Sequence, residues 1–116
     1  MQYHDSLTIA DLIRHIGLEH ERTCILEDKS GKLYGVVSQG DLLKAIWNGH
    51  ELITPIDKVL NPNPIFISSE TSDLEKEALK LFTKYGVLLI PVIDKTRKIQ
   101  KIISIRKIMS EKYDIQ

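Results

Sequence analysis

A hydroxyl, a glycine and a carboxylate stand within four residues at Ser38, Gly40 and Asp41, between the apolar pair Val36 and Val37 and the apolar positions Leu42, Leu43 and Ile46. That pattern reads as a strand ending in Ser38 and turning into a helix. The start of a helix gathers unpaired backbone N–H groups at the positive end of its dipole, so it favours an anion such as phosphate. A carboxylate at the same place accepts hydrogen bonds and can hold the two vicinal hydroxyls of a ribose. Ser followed three residues later by Asp is equally an ordinary capping arrangement, contributing about 1 kcal/mol to the fold without any ligand. The two readings are compatible, and the spacing alone does not choose between them.

The elements that must position these residues emerge from a repeat. Shifting the sequence by 66 residues without a gap places Leu12 on Ala78, Ile13 on Leu79, Ile16 on Phe82, Cys24 on Ile90 and Leu26 on Val92. The same shift places Leu33 on Ile99, Val36 on Ile102, Val37 on Ile103, Leu42 on Ile108 and Leu43 on Met109, and it matches Asp28 with Asp94 and Ser38 with Ser104. The unit so duplicated is helix, strand, strand, helix. In the first copy, Ile9, Leu12, Ile13 and Ile16 mark a helix face, with Thr8 placed to cap it and Gly17 to end it. Strands are expected at 23–27 and 33–38 around the turn "DKSG", and a second helix from about Leu42 to Gly49. In the second copy, Ser72 and Glu75 form a capping-box pattern, Leu74, Ala78, Leu81 and Phe82 give the stripe, and Gly86 stops the helix. Strands at 87–93 and 98–104 and a helix from Ile105 follow, while Thr54 and Pro55 start a short helix that Pro62 and Pro64 halt before a strand at 65–67. The counterpart of that strand falls before residue 3, so the first copy needs its edge covered by the N-terminal residues or by a partner chain.

Composition narrows the function. The 116 residues carry 16 basic and 16 acidic side chains, which leaves no net field for the counterion-release binding of nucleic acid. The single cysteine, Cys24, rules out an intramolecular disulfide and reads as a small core residue. No apolar stretch is long enough to span a membrane or direct secretion, so a cytoplasmic chain with no membrane partner is expected. His4, His15, His20 and His50 fall in no metal-ligand spacing, and no set of acid, base and nucleophile emerges, so the chain alone is not expected to be an enzyme. Trp47 is either core or part of a dimer interface.

The strings "GVVSQGDLLKAI", "VLNPNPIFISSETSDLEKEALKLFTKYGVLLIPVID" and "KIISIRKIM" resemble a tandem pair of cystathionine-beta-synthase (CBS) domains, the Bateman module, over nearly the whole chain. The resemblance implies an α+β fold of two pseudo-symmetric units, here 1–60 and 61–116, each a small sheet with two helices packed on it. It further implies a regulatory module that binds an adenine nucleotide or adenosyl ligand, namely AMP, ADP, ATP or S-adenosylmethionine, in the cleft between the units, with no required cofactor. By that resemblance Ser38 and Gly40 meet phosphate, Asp41 holds the sugar, and the base lies near Ile65, Ile67, Ser68, Ile90 and Pro91. The second half departs from the pattern. Arg106 and Lys107 stand where Gly40 and Asp41 do, and an ammonium group cannot accept from a ribose diol. At most one well-formed site per chain is expected, with Arg106 and Lys107 either meeting its phosphates or being solvated charges. The family pairs its modules into homodimers through helices matching 42–47 and 105–109. The stretch "KAIWNGHELITPIDKVLNPNP" also looks like the variety that precedes sugar-phosphate nucleotidyltransferase domains, which implies an attached C-terminal catalytic domain. A structural dimerisation module with a degenerate site is the alternative.

Overall fold

The structure, a computed structural model, describes residues 1–18 and 22–113, and His20 lies outside them. In chain order the elements are α1 (Ile9–Leu18), β1 (Thr23–Glu27), β2 (Leu33–Ser38), α2 (Gln39–Trp47), a 3-10 turn (Ile56–Lys58), β3 (Ile67–Ser68), α3 (Leu74–Tyr85), β4 (Leu89–Ile93), β5 (Ile99–Ser104) and α4 (Ile105–Tyr113). Adding 66 to the bounds of β1, β2 and α2 reproduces those of β4, β5 and α4 residue for residue. The mixed α+β class and the duplicated unit therefore stand. Among the described residues no helix is long and apolar enough to cross a membrane.

The chain forms two compact units, one of Met1–Ser30 with Tyr34–Pro64 and one of Gly31–Leu33 with Ile65–Gln116. In the first unit, β1 and β2 form a two-stranded sheet. Its leading edge is covered by the N-terminal residues: Gln2 bridges Glu27 in parallel, and Tyr3 N–H donates to the Glu27 carbonyl at 2.8 Å. In the second unit β3 lies parallel to β4 with Ser68 opposite Ile93, and Ser69 N–H donates to the Ile93 carbonyl at 2.8 Å. These are the same contacts displaced by 66 residues, so the first unit has a leading bridge where the second has a strand.

Each unit buries its own core. Leu7, Ile9, Leu12, Leu26, Val37 and Ile56 close the first. Ile67, Ala78, Phe82, Ile90 and Val92 close the second. Alternate residues of β2 are buried, whereas β1 and β4 bury consecutive apolar residues and the helices bury positions three and four apart, such as Ile9 and Leu12 or Ala78 and Phe82.

Several boundaries differ from expectation. Gly17 lies inside α1, which runs through Leu18; glycine permits the left-handed turn but does not force it, and nothing packs within 4 Å of its missing Cβ. The cap of α3 is Asp73, whose carboxylate accepts from Lys76 N–H at 3.1 Å, rather than Ser72. Aspartate caps as well as serine, and one register must win. Strands β4 and β5 begin at Leu89 and Ile99, and β3 occupies Ile67–Ser68 rather than 65–67. Gly86, at φ +66°, does end α3 in the left-handed conformation.

Candidate functional site

Thr8 and Asp11 show how this sequence builds a helix start: Asp11 Oδ2 accepts from the Thr8 backbone N–H at 2.9 Å, while Thr8 Oγ1 accepts from Asp11 N–H at 3.3 Å. Those backbone and hydroxyl donations hold the Asp11 carboxyl below its usual range, with Arg14 at 2.7 Å assisting against partial desolvation.

The same device recurs at α2. Ser38, in extended conformation, is the N-cap, and its Oγ accepts from Asp41 N–H at 3.1 Å. Asp41 Oδ2 in return accepts from Ser38 N–H at 2.9 Å. The capping reading is therefore correct as geometry, and it has a consequence for chemistry. The reciprocal bonds fix the Asp41 rotamer through Oδ2 alone. Among the described residues Oδ1 has no hydrogen-bond partner. Ser38 and Asp41 are half-buried and Gly40 is exposed. A carboxylate held still by one oxygen, with the other free beside a helix N-terminus, is prepared to accept from a hydroxyl pair.

In the second unit Ser104 Oγ accepts from Lys107 N–H at 3.3 Å, as Ser38 does from Asp41, but the lysine side chain cannot return the bond. Arg106 and Lys107 are exposed on the first turn of α4, and Lys107 faces a depression bounded by Ser104 and Ile108. Ile67, Ile90 and Pro91 are buried in the second unit, so they offer backbone rather than side chain to anything outside it. Ile65 is half-buried and Ser68 exposed, with Ser68 Oγ already accepting from Glu70 N–H at 3.2 Å. Of the ten candidates, Ser38, Gly40 and Asp41 sit together in the first unit. Ile65, Ile67, Ser68, Ile90, Pro91, Arg106 and Lys107 belong to the second unit, where β3, β4 and the start of α4 carry six of them.

One cluster carried no signal in the sequence. The rings of Tyr3 and Tyr34 stack at 3.9 Å between centroids and 11° between planes, and both hydroxyls donate to the Asp57 carboxylate. Asp57, accepting from Tyr3, raises that phenol well above its ordinary value. For Tyr34, contact with Tyr3 pulls downward, and the Asp57 hydrogen bond with partial desolvation outweighs it, leaving a net rise. The two tyrosines lie 54 and 23 positions from Asp57, so no local pattern could reveal the cluster. Trp47 is 89% exposed and is no part of this chain's core. Among the described residues no group of three His, Cys, Asp or Glu side chains could hold a metal ion.

A family model described as CBS domain matches residues 4–48 and again 56–114. Among curated proteins compared by sequence, none matches. Among solved structures, a CBS domain protein from Pyrobaculum aerophilum complexed with AMP is 19% identical with a TM-score of 0.79, covering 97% of this chain and 86% of that one. The CBS domain pair of protein MJ0100, in complex with 5-methylthioadenosine and S-adenosyl-L-methionine, is 22% identical with a TM-score of 0.74, covering 96% and 86%. The cytosolic domain of the magnesium channel MgtE in complex with ATP is 19% identical with a TM-score of 0.72, covering 96% of this chain and 44% of that one. At these identities the likeness is one of fold.

Proposed function

The chain belongs to the CBS domain family, and on that premise we propose that it is a ligand-sensing regulatory module for an adenine nucleotide or adenosyl ligand, with Asp41 holding the ribose. The observation that carries this reading is the Ser38–Asp41 box, which locks the carboxylate by Oδ2 and leaves Oδ1 to accept. Support comes from the structural relatives whose ligands are AMP, ATP, 5-methylthioadenosine and S-adenosyl-L-methionine, since all four share an adenosyl ribose. Ser38 and the Gly40 backbone face phosphate or its equivalent, and Ile65, Ile67, Ser68, Ile90 and Pro91 frame the base largely through backbone groups. Arg106 and Lys107 supply cationic charge to a ligand whose sugar lies on Asp41. One ligand binds per chain, because Lys107 occupies the place a second carboxylate would need.

Regulation follows from differential affinity. A ligand shifts an equilibrium between two arrangements only as far as it prefers one of them. In this proposal the readout is an attached or partner domain, a nucleotidyltransferase in the narrower form, and the module pairs with a second copy through α2 and α4. Leu43, Ile46 and Trp47 on α2 and Met109 on α4 are exposed apolar side chains suited to that pairing. A purely structural dimerisation module is the second reading, favoured by Lys107 and by the fact that Asp41 already serves as a cap. Thermal denaturation with AMP, ADP, ATP and S-adenosylmethionine separates the two. A binder at 100 times its dissociation constant adds about 2.7 kcal/mol to the folded state and raises the melting temperature. No shift with any of the four would favour the structural reading.

A further inference from the structure

In the first unit, the segment from Thr54 to Asn61 closes over the helices and the edge of β2. The Thr54 carbonyl accepts from Ile9 N–H at 3.0 Å, and Ile56 N–H donates to the Leu7 carbonyl at 2.9 Å. Ile56 is then wholly buried in the core cluster that also holds Leu42 and Val37. At its far end Asn61 makes a two-bond antiparallel bridge to Val36, at 2.9 and 2.8 Å. Gly35 makes room for this approach, since a Cβ there would lie 2.7 Å from Leu60 Cδ1 and 2.9 Å from the Asn61 carbonyl oxygen.

Displaced by 66 residues, the same surface in the second unit is open. A depression of about 320 Å³ lies there, walled by Glu75, Ile102, Ile103 and Ile108, the equivalents of Ile9, Val36, Val37 and Leu42. Val37 and Leu42 are buried, whereas Ile103 and Ile108 are half-buried and Ile102 is 47% exposed. The register sets Ile102 opposite Pro91, which has no N–H to give, so Ile102 presents its backbone outward as Val36 does to Asn61. No described segment covers it.

We infer that this groove is a docking site, in trans, for a peptide segment that makes one helical turn between a branched aliphatic anchor and, four residues later, an acidic side chain, as Ile56 to Leu60 does in the first unit. The anchor takes the place that Ile56 fills in the first unit, and the following backbone adds to the outward edge of β5 at Ile102, a strand-addition mode. The acidic residue is required by the one substitution that alters the template most: Lys101 stands where Gly35 does, so a leucine at the position of Leu60 meets a lysine stem, while a carboxylate meets its ammonium group. The carboxylate of Glu75, also on the wall, is already engaged by Lys112 at 3.0 Å, so it leaves Lys101 available to the peptide's acidic residue.

The test uses the full chain and a synthetic peptide of residues 53–63, Ile53 to Asn63, bearing the change Leu60→Glu. Titration followed by amide NMR is expected to shift residues 101–111 saturably. Replacing the peptide's anchor by Ile56→Asp should weaken binding by about tenfold or more, as loss of a central apolar anchor does. The unaltered peptide with leucine should bind more weakly than the glutamate form, and Lys101→Glu in the protein should reverse that order, since exposed Lys101 is not part of the core. Absence of shifts at 101–111 at millimolar peptide, or equal binding of the Ile56→Asp peptide, would overturn the inference. So would the same shifts on raising the chain concentration without peptide, which would place a second copy there.

Discussion

In the proposed function Asp41 is both the residue that closes the capping box of α2 and the residue that holds the ribose. Its bond to Ser38 N–H costs one carboxylate oxygen and immobilises the other, so the cap is the means by which the acceptor is oriented. Ser38→Ala should lower stability by about 1 kcal/mol through loss of the cap, and chemical denaturation checks it. It should also weaken ligand binding, because Asp41 then loses the hydroxyl that fixes its own N–H. This pair was legible in the sequence because both partners lie within one turn. The Tyr3, Tyr34 and Asp57 cluster was not, because its members meet only once the chain has folded. Its phenols titrate above their ordinary value, so the stability they contribute is present below about pH 10 and is lost as pH rises toward the folded-state value. Stability measured from pH 8 to 12 should therefore fall, and Tyr3→Phe should make that fall shallower.

Helix ends separate what local pattern can and cannot decide. The existence and order of the duplicated strands and second helices were readable because apolar periodicity and turn residues agreed in both copies, while β4 and β5 start one or two residues later than the pattern suggested and α2 starts earlier, at Gln39. The ends of α1 and α3 were less so: Gly17 is helical with α1 running through Leu18, and at the start of α3 both Ser72 and Asp73 satisfy the local rules, with Asp73 taking the cap. Gly17, inside α1, and Gly86, the left-handed cap of α3, now make opposite predictions. Gly17→Ala should stabilise the chain by about 0.5–1 kcal/mol, since the residue is helical and its surroundings are empty. Gly86→Ala should destabilise it by about 1–2 kcal/mol, since a Cβ is disfavoured at φ +66°. Urea denaturation of the two variants side by side checks both signs.

Across the chain, two units of one design differ in how their surfaces are closed. The first seals its core with Ile56, while the second leaves the equivalent depression open and replaces Gly35 with Lys101 and Asp41 with Lys107. Ile56→Ala should cost about 2–5 kcal/mol as a cavity in the first core, read by thermal unfolding. The family resemblance and the repeat made this duplicated plan visible in the sequence; the Ile56 seal was not, because its backbone bonds to residues 7 and 9 join segments far apart along the chain. The single site of the proposed function follows from the same substitutions, with an acceptor carboxylate at position 41 of the first unit and an ammonium group at position 107 of the second. Isothermal titration calorimetry of the wild-type chain and Asp41→Ala with AMP, ADP, ATP and S-adenosylmethionine measures this directly. We expect at least one of the four to bind at one molecule per chain, and Asp41→Ala, still folded, to lose at least about tenfold in affinity, the value of one charge-assisted hydrogen bond. Two equivalent sites per chain, or full affinity retained by folded Asp41→Ala, would contradict the account.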